Sequence, residues 1–137
     1  VDTATPDEHV RGAAQRMGNR GVGTLVVVDS AKRVAGILTD RDIAVRAVGA
    51  GLDPETTSVG DVMSPEVHTG FEEMPIEEAV GLMRTEAVRR LVVVRQDGTL
   101  VGIVAIDDIL TLLASELQAV GELLQKEDPR RVLPSGT

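Results

Sequence analysis

The sequence predicts an α/β fold made of two copies of one unit, each a short strand, a helix, two strands and a helix. The first observation is a repeat. Leu25-Val26-Val27-Val28 returns as Leu91-Val92-Val93-Val94. The same shift aligns, without a gap, Val1 with Val67, Thr3 with Thr69, Ala13 with Ala79, Met17 with Met83, Val22 with Val88, Gly36-Ile37 with Gly102-Ile103, and Asp42-Ile43 with Asp108-Ile109. The second is that the hydrophobic period changes in the same order in both halves, helical and then strand-like. The third is that Leu-Val-Val-Val is apolar on both faces and needs cover on both sides. A unit of roughly 50 residues is marginal alone. Two units packed about a pseudo-two-fold axis bury these strands and leave clefts between the halves.

The first unit, residues 1–51, opens on a short strand around Thr3. Val10, Ala13, Ala14 and Met17 follow at i, i+3, i+4 and i+7, one face of a helix, which Gly18 and Gly21 end. The β-branched run to Val28, the turn Asp29-Ser30-Ala31-Lys32 and a second run to Leu38 make a hairpin. Another helix starts at about Thr39. Residues 52–64 follow Gly51 and carry Pro54, Thr56, Thr57 and Gly60, the chemistry of a linker.

The second unit, residues 65–127, repeats the plan. Ile76, Ala79, Val80 and Met83 form the helical face, with Pro75 suited to a helix start. The hairpin turn is Gln96-Asp97-Gly98-Thr99. The last helix, from about Asp107, is long. Leu110, Leu113, Leu117, Val120 and Leu124 step along it as a heptad-like seam, which also fits a helix capping its own domain. Residues 128–137 hold two Pro, a Ser and a Gly and read as a flexible tail.

Composition narrows the function. Of 137 residues 42% are apolar, but only one is aromatic, Phe71. The core is therefore aliphatic, and a base-stacking platform for single-stranded nucleic acid is missing. A net charge of -8 repels phosphate backbones and argues against nucleic-acid binding. There is no cysteine, which removes disulfides, thiolate catalysis and Cys metal sites. The N-terminus lacks the pattern of a signal peptide, and no apolar run approaches the ~20 residues of a membrane span. These features point to a cytoplasmic protein without a membrane partner.

No catalytic constellation is visible, so the expectation is not an enzyme. His9 and His68, the two histidines, stand on different elements and in no metal-binding spacing. His9 reads as a surface residue; His68, between Val67 and Thr69, either faces solvent or touches a ligand. Glu72-Glu73, Glu77-Glu78 and Asp107-Asp108 look like helix-start acids. No dedicated metal cage is present, although Mg²⁺ could bridge nucleotide phosphates.

Thr39 ends a strand and opens a helix, with Asp42 three residues on. A helix N-terminus offers free N–H groups and a positive dipole end. The Thr hydroxyl can bond a phosphate or ribose oxygen, and the Asp carboxylate can accept from both ribose hydroxyls. The same spacing is also that of a capping box, and Thr39 can serve both purposes.

Gly36-Ile37-Leu38-Thr39-Asp40-Arg41-Asp42 resembles the nucleotide motif of CBS domains: Gly, a hydrophobic residue, any residue, Ser or Thr, two residues, Asp. Asp61-Val62-Met63-Ser64-Pro65, followed by Val67 and Thr69, resembles the linker and first strand of a second CBS repeat. The stretch from Thr39 to Pro54 is similar to small bacterial stand-alone CBS-pair proteins, and the resemblance covers roughly residues 1–116.

The resemblance implies a tandem CBS pair, or Bateman module, that binds an adenine nucleotide between its repeats and senses it through ligand-induced reorientation. The ligand would be AMP, ADP or ATP, and the module a homodimer acting on an effector protein. Carried onto this chain, Thr39, Arg41 and Asp42 would meet ribose and phosphate, with Ile37 beside them. Glu66, Val67 and His68 would lie along the base, Val22 and Gly23 would form its floor, and Arg89 and Arg90 would reach the phosphates. Arginine forks suit phosphate oxygens, although Arg89-Arg90 also reads as a solvated strand end.

The second unit departs from the motif, with Ala105 in place of the hydroxyl residue and Asp108 kept. A second, weaker site would use Thr3 and Asp108. A lost hydrogen bond to phosphate costs about 1.5–3 kcal/mol. No counterpart of Asp61–Pro65 stands ahead of the first strand, so either the sequence is trimmed or the protein is shortened, and trimming would leave that second cleft with less wall. Ala105 further suggests an alternative, a ligand-free CBS-pair dimerisation or interaction module.

Overall fold

The computed structural model of the chain describes residues 1–126. The expected tail, residues 128–137, lies outside the described residues. The chain divides into two compact units, Val1–Ile103 and Val104–Thr137. The first holds β1 (Thr3–Ala4), α1 (Val10–Arg20), β2 (Thr24–Val28), β3 (Val34–Thr39) and α2 (Asp40–Asp42), which continues as a π-helical stretch (Ile43–Val48). α3 (Val59–Val62), β4 (Thr69–Phe71), α4 (Ile76–Glu86) and β5 (Arg90–Val94) follow. β6 (Leu100–Ala105) crosses the boundary after Ile103, and α5 (Ile106–Lys126) belongs to the second unit.

The strands form two three-stranded sheets, β1-β2-β3 and β4-β5-β6. β1 runs parallel to β2 with Thr3 opposite Val26, and β4 runs parallel to β5 with the repeat counterparts, Thr69 opposite Val92. β2 and β3 pair antiparallel, with Val26 opposite Ile37. The repeat seen in the sequence is thus a repeat of register. The two sheets meet through a layer of Val26, Val28, Val92 and Val94, flanked by Val34, Ile37, Val67, Leu100 and Ile103. Their hairpins also join at the base. The Val34 N–H donates to Gly98 O at 3.1 Å, and the Leu100 N–H donates to Lys32 O at 3.0 Å. Val34 and Leu100 are repeat counterparts, as are Lys32 and Gly98, so the two bonds interchange under the repeat. This reciprocity is the pseudo-two-fold relation between the sheets.

The other face of the first sheet carries its own core: Val10, Ala13 and Met17 of α1, Leu25, Val27, Leu38 and Ala47. Val59 and Val62 complete it, so the segment that reads as linker is packed cover. Its backbone also meets the open start of α1, whose His9 makes no side-chain cap. The Val10 N–H donates to Thr57 O and the Arg11 N–H to Pro54 O, each at 2.9 Å. These acceptors satisfy amides that the first turn of a helix leaves unpaired.

Helix ends depart from the sequence reading in two places. Gly18 stays inside α1, and Gly21 alone closes it, at φ 65° with its N–H on Met17 O. α4 closes the same way without a glycine, on Ala87 at φ 54°. The helix expected from Thr39 forms, but widens after one turn, with the Gly49 N–H reaching Ala44 O at 2.8 Å and the Leu52 N–H reaching Ala47 O at 2.9 Å.

Candidate functional site

The face of the two sheets that carries the valine layer ends in a cavity of about 370 Å³. Ile37 lines it from the first repeat. Glu66, Val67, His68, Arg89 and Arg90 line it from the second, together with Val88, Val92 and Ile103. The size falls within the range of small-molecule pockets, about 300–1,000 Å³, and so does the make-up, apolar walls with a few polar groups. Six of the eleven residues expected in the main site therefore converge on one cavity. What brings them together is the chain after α3. Ser64 pairs with Ile37 in both directions, N–H to O at 2.9 and 2.8 Å, and this lays Glu66 and Val67 beside the first sheet.

The cavity's polar groups are mostly exposed. The His68 carbonyl accepts from the Val92 N–H at 3.0 Å. Its ring Nδ1 stands 3.5 Å from Glu86 on α4. Arg90 opens β5 and Arg89 precedes it, so the strand start fixes both backbones at the mouth.

The other five expected residues gather at the end of the first sheet. Thr39 closes β3, two residues beyond Ile37 and so on the same face of the strand. There the Thr39–Asp42 pair makes a complete capping box. The Thr39 hydroxyl accepts from the Asp42 N–H, and the Asp42 carboxylate accepts from the Thr39 N–H, both at 3.0 Å. The remaining Asp42 oxygen has the Ser64 hydroxyl at 3.4 Å and Arg46 Nε at 3.8 Å. The carboxylate that the family resemblance assigns to ribose is thus also the one that caps the helix. Gly23 accepts from the Asp40 N–H at 3.0 Å, and a Cβ at Gly23 would lie 2.9 Å from an Asp40 oxygen. Asp40 therefore lies against Gly23, one of the two residues expected as the floor, and neither Val22 nor Gly23 lines the cavity. Arg41 is exposed, its N–H on Asp40 Oδ1 at 2.8 Å.

Of the two residues expected in a second site, Thr3 lies in β1 and its carbonyl accepts from Arg16 at 2.8 Å. Asp108 lies exposed in the first turn of α5, in the second unit. Among the described residues no group of three or more His, Cys, Asp or Glu is placed to hold a metal ion. No described helix is long and apolar enough to cross a membrane.

Sequence reasoning missed Val88, Val92 and Ile103 as cavity wall, although Val88 and Ile103 are the repeat counterparts of Val22 and Ile37, which it chose. It also missed Asp40 and Ser64. Nothing local marks Ser64, since its place depends on a pairing to a strand far away in sequence.

The family model for the CBS domain matches residues 1–49 and 59–115. The chain is 41% identical over 109 residues to the CBS domain-containing protein YhcV of Bacillus subtilis, a match covering 80% of this chain and 76% of that one. It is 35% identical over 126 residues to an uncharacterized protein of Methanopyrus kandleri, covering 92% of this chain but only 64% of that protein's length. Among solved structures, Hypoxic Response Protein I with two coordinated zinc ions superposes with a TM-score of 0.72 at 33% identity, covering 81% of this chain and 89% of that one. A CBS domain protein from Pyrobaculum aerophilum complexed with AMP superposes with a TM-score of 0.65 at 28% identity, covering 84% and 93%. With its duplicated strand–helix–strand–strand–helix plan and these matches, the chain belongs to the CBS-domain family, as a tandem CBS pair.

Proposed function

We propose that the chain is a regulatory module that binds AMP, ADP or ATP, not an enzyme, and that it passes the signal to an effector protein in the cytoplasm. The observation that carries this reading is the cavity of about 370 Å³, walled by both repeats and flanked by Arg89 and Arg90. The base would lie along Val67 and Val88, and the arginines would meet the phosphates. Thr39 and Asp42, next along the face from Ile37, would take the ribose, and Mg²⁺ could accompany the phosphates. The AMP complex of a similar CBS protein supports the choice of ligand. A ligand that touches both repeats shifts their relative arrangement by its differential affinity for two states. The reading includes a homodimer, supported by the apolar seam of α5, where Leu113, Leu117 and Leu124 are exposed.

Isothermal titration with AMP, ADP, ATP and S-adenosylmethionine tests it, with Asp42→Ala and Arg90→Ala run beside the parent chain. Saturable heat near one nucleotide per chain, lost or strongly weakened in both variants, is the expected result. Absence of binding to all four sinks the reading. The alternative, a ligand-free interaction module, draws on the complete capping box, in which Asp42 already has a structural task. Unchanged affinity in Asp42→Ala would take the motif out of the ligand site.

A further inference from the structure

Asp42 is more heavily engaged than its proposed role leaves room for. A carboxylate offers about two acceptor sites on each oxygen. On Oδ2 one of them is filled by the Thr39 N–H at 3.0 Å. Oδ1 faces two donors, the Ser64 hydroxyl at 3.4 Å and Arg46 Nε at 3.8 Å. A ribose diol brings two hydroxyls and needs two sites. Oδ2 has one to give, so the second hydroxyl must displace a donor from Oδ1.

Ser64 is the donor that yields. Its hydroxyl is neutral, and 3.4 Å is long beside the about 2.5–2.7 Å of a strong hydroxyl–carboxylate bond. Arg46 carries a charge and is held from a second side, where its Nη1 donates to Met63 O at 3.2 Å. Losing the hydroxyl bond does not unseat Ser64. Its N–H donates to Ile37 O at 2.8 Å, and its C=O accepts from the Ile37 N–H at 2.9 Å. Both donors on Oδ1 thus tie Asp42 to one stretch, Met63–Ser64, just ahead of the cavity wall at Glu66 and Val67.

Resting on the proposed ribose role of Asp42, we infer that the Ser64 hydroxyl is a built-in competitor of the ribose. It holds Asp42 Oδ1 until a ribonucleotide takes its place, and so it sets the affinity below what the same cavity gives without it. Ser64 acts through Asp42 and is a positioning residue. The exchange removes one of two side-chain links between the motif and Met63–Ser64. Ribose binding is thereby felt in the chain that joins the repeats, a difference between two states that a ligand can bias.

Ser64→Ala tests this by isothermal titration with AMP, ADP and ATP, each beside its 2′,3′-dideoxy form. The variant loses only a loosely held hydroxyl and keeps both backbone bonds to Ile37, so it folds. The expected result is a Kd tighter by about threefold to tenfold for whichever ribonucleotides the parent chain binds, the worth of a weak hydrogen bond. The dideoxy forms bring no hydroxyl to Asp42 and gain nothing. A purely structural role for Ser64 would move both forms alike. Unchanged or weaker ribonucleotide binding in the variant, or an equal gain for the dideoxy forms, overturns the competition and leaves the proposed function standing. A parent chain that binds none of the three ribonucleotides removes the proposed function and the competition with it.

Discussion

Single residues carry more than one task in this chain, and Asp42 is the clearest. Its carboxylate caps α2 through the Thr39 N–H while its second oxygen faces Ser64 and Arg46. Thr39→Ala should cost about 1 kcal/mol of unfolding free energy, the usual worth of an N-cap, in urea denaturation. The proposed ribose role adds a loss of nucleotide affinity in Asp42→Ala that this stability cost does not explain. Ala87 offers the opposite case. It closes α4 in the left-handed region at φ 54°, where its repeat counterpart is Gly21. A side chain there costs roughly 1–2 kcal/mol. Ala87→Gly should therefore raise stability by about 1 kcal/mol, and Gly21→Ala should lower it by a similar amount, both read from denaturant midpoints. The Thr39-x-x-Asp42 spacing is legible in sequence as cap and as ligand motif alike, because both uses need the same oxygens. The left-handed Ala87 is not legible, because nothing about an alanine announces it.

The hairpins were readable as elements because their turns carry the chemistry that turns need. Asp29 accepts from the Ala31 and Arg33 N–H groups, and Asp97 accepts from the Thr99 N–H and hydroxyl. The backbone bond from Arg33 holds the Asp29 carboxyl below its ordinary value, and the bond from Thr99 does the same for Asp97. A carboxyl lowered in the folded state stabilises above its unfolded value and loses that contribution as pH falls through the folded one. Thermal melts across the acid range should thus show a shallower decline for the Asp29→Asn, Asp97→Asn double variant than for the parent. α1 was equally plain, from its helical period. α3 was not, because four residues hold too little periodicity and lie among Pro, Thr and Gly. Its buried Val59 and Val62 make it core nonetheless. Val62→Ala should cost about 2 kcal/mol, within the range for trimming a packed aliphatic side chain, in the same urea assay. The widened turn at Ile43–Val48 left no mark on the hydrophobic pattern, and the structure offers no cause for it beyond its one buried residue, Ala47.

Across the whole molecule, duplication was the feature most fully written in the sequence. A valine run apolar on both faces demands a second layer, and the second copy of the run supplies it. The gathering of Ile37, Val67 and Arg90 at one cavity could be anticipated only through family resemblance, because it depends on a long-range pairing by Ser64. At this scale the dimer is the testable quantity. The exposed leucines of α5 carry no charge along their seam, so Leu117→Glu with Leu124→Glu should convert a dimer to a monomer in sedimentation velocity. A parent chain that is already monomeric would remove the dimer from the proposed function.

The core residues also fall in a particular order along the chain. The first cluster closes with residues lying between Ala4 and Val62, whereas the valine layer needs Val92 and Val94. During ribosomal synthesis the first half can therefore bury one side of its sheet while its other side stays wet until the second half emerges. For that interval the nascent polypeptide shows an uncovered apolar sheet surface, the kind of transient exposure that invites aggregation and chaperone capture. Slow decoding between the halves would lengthen the exposure, and fast decoding there would shorten it.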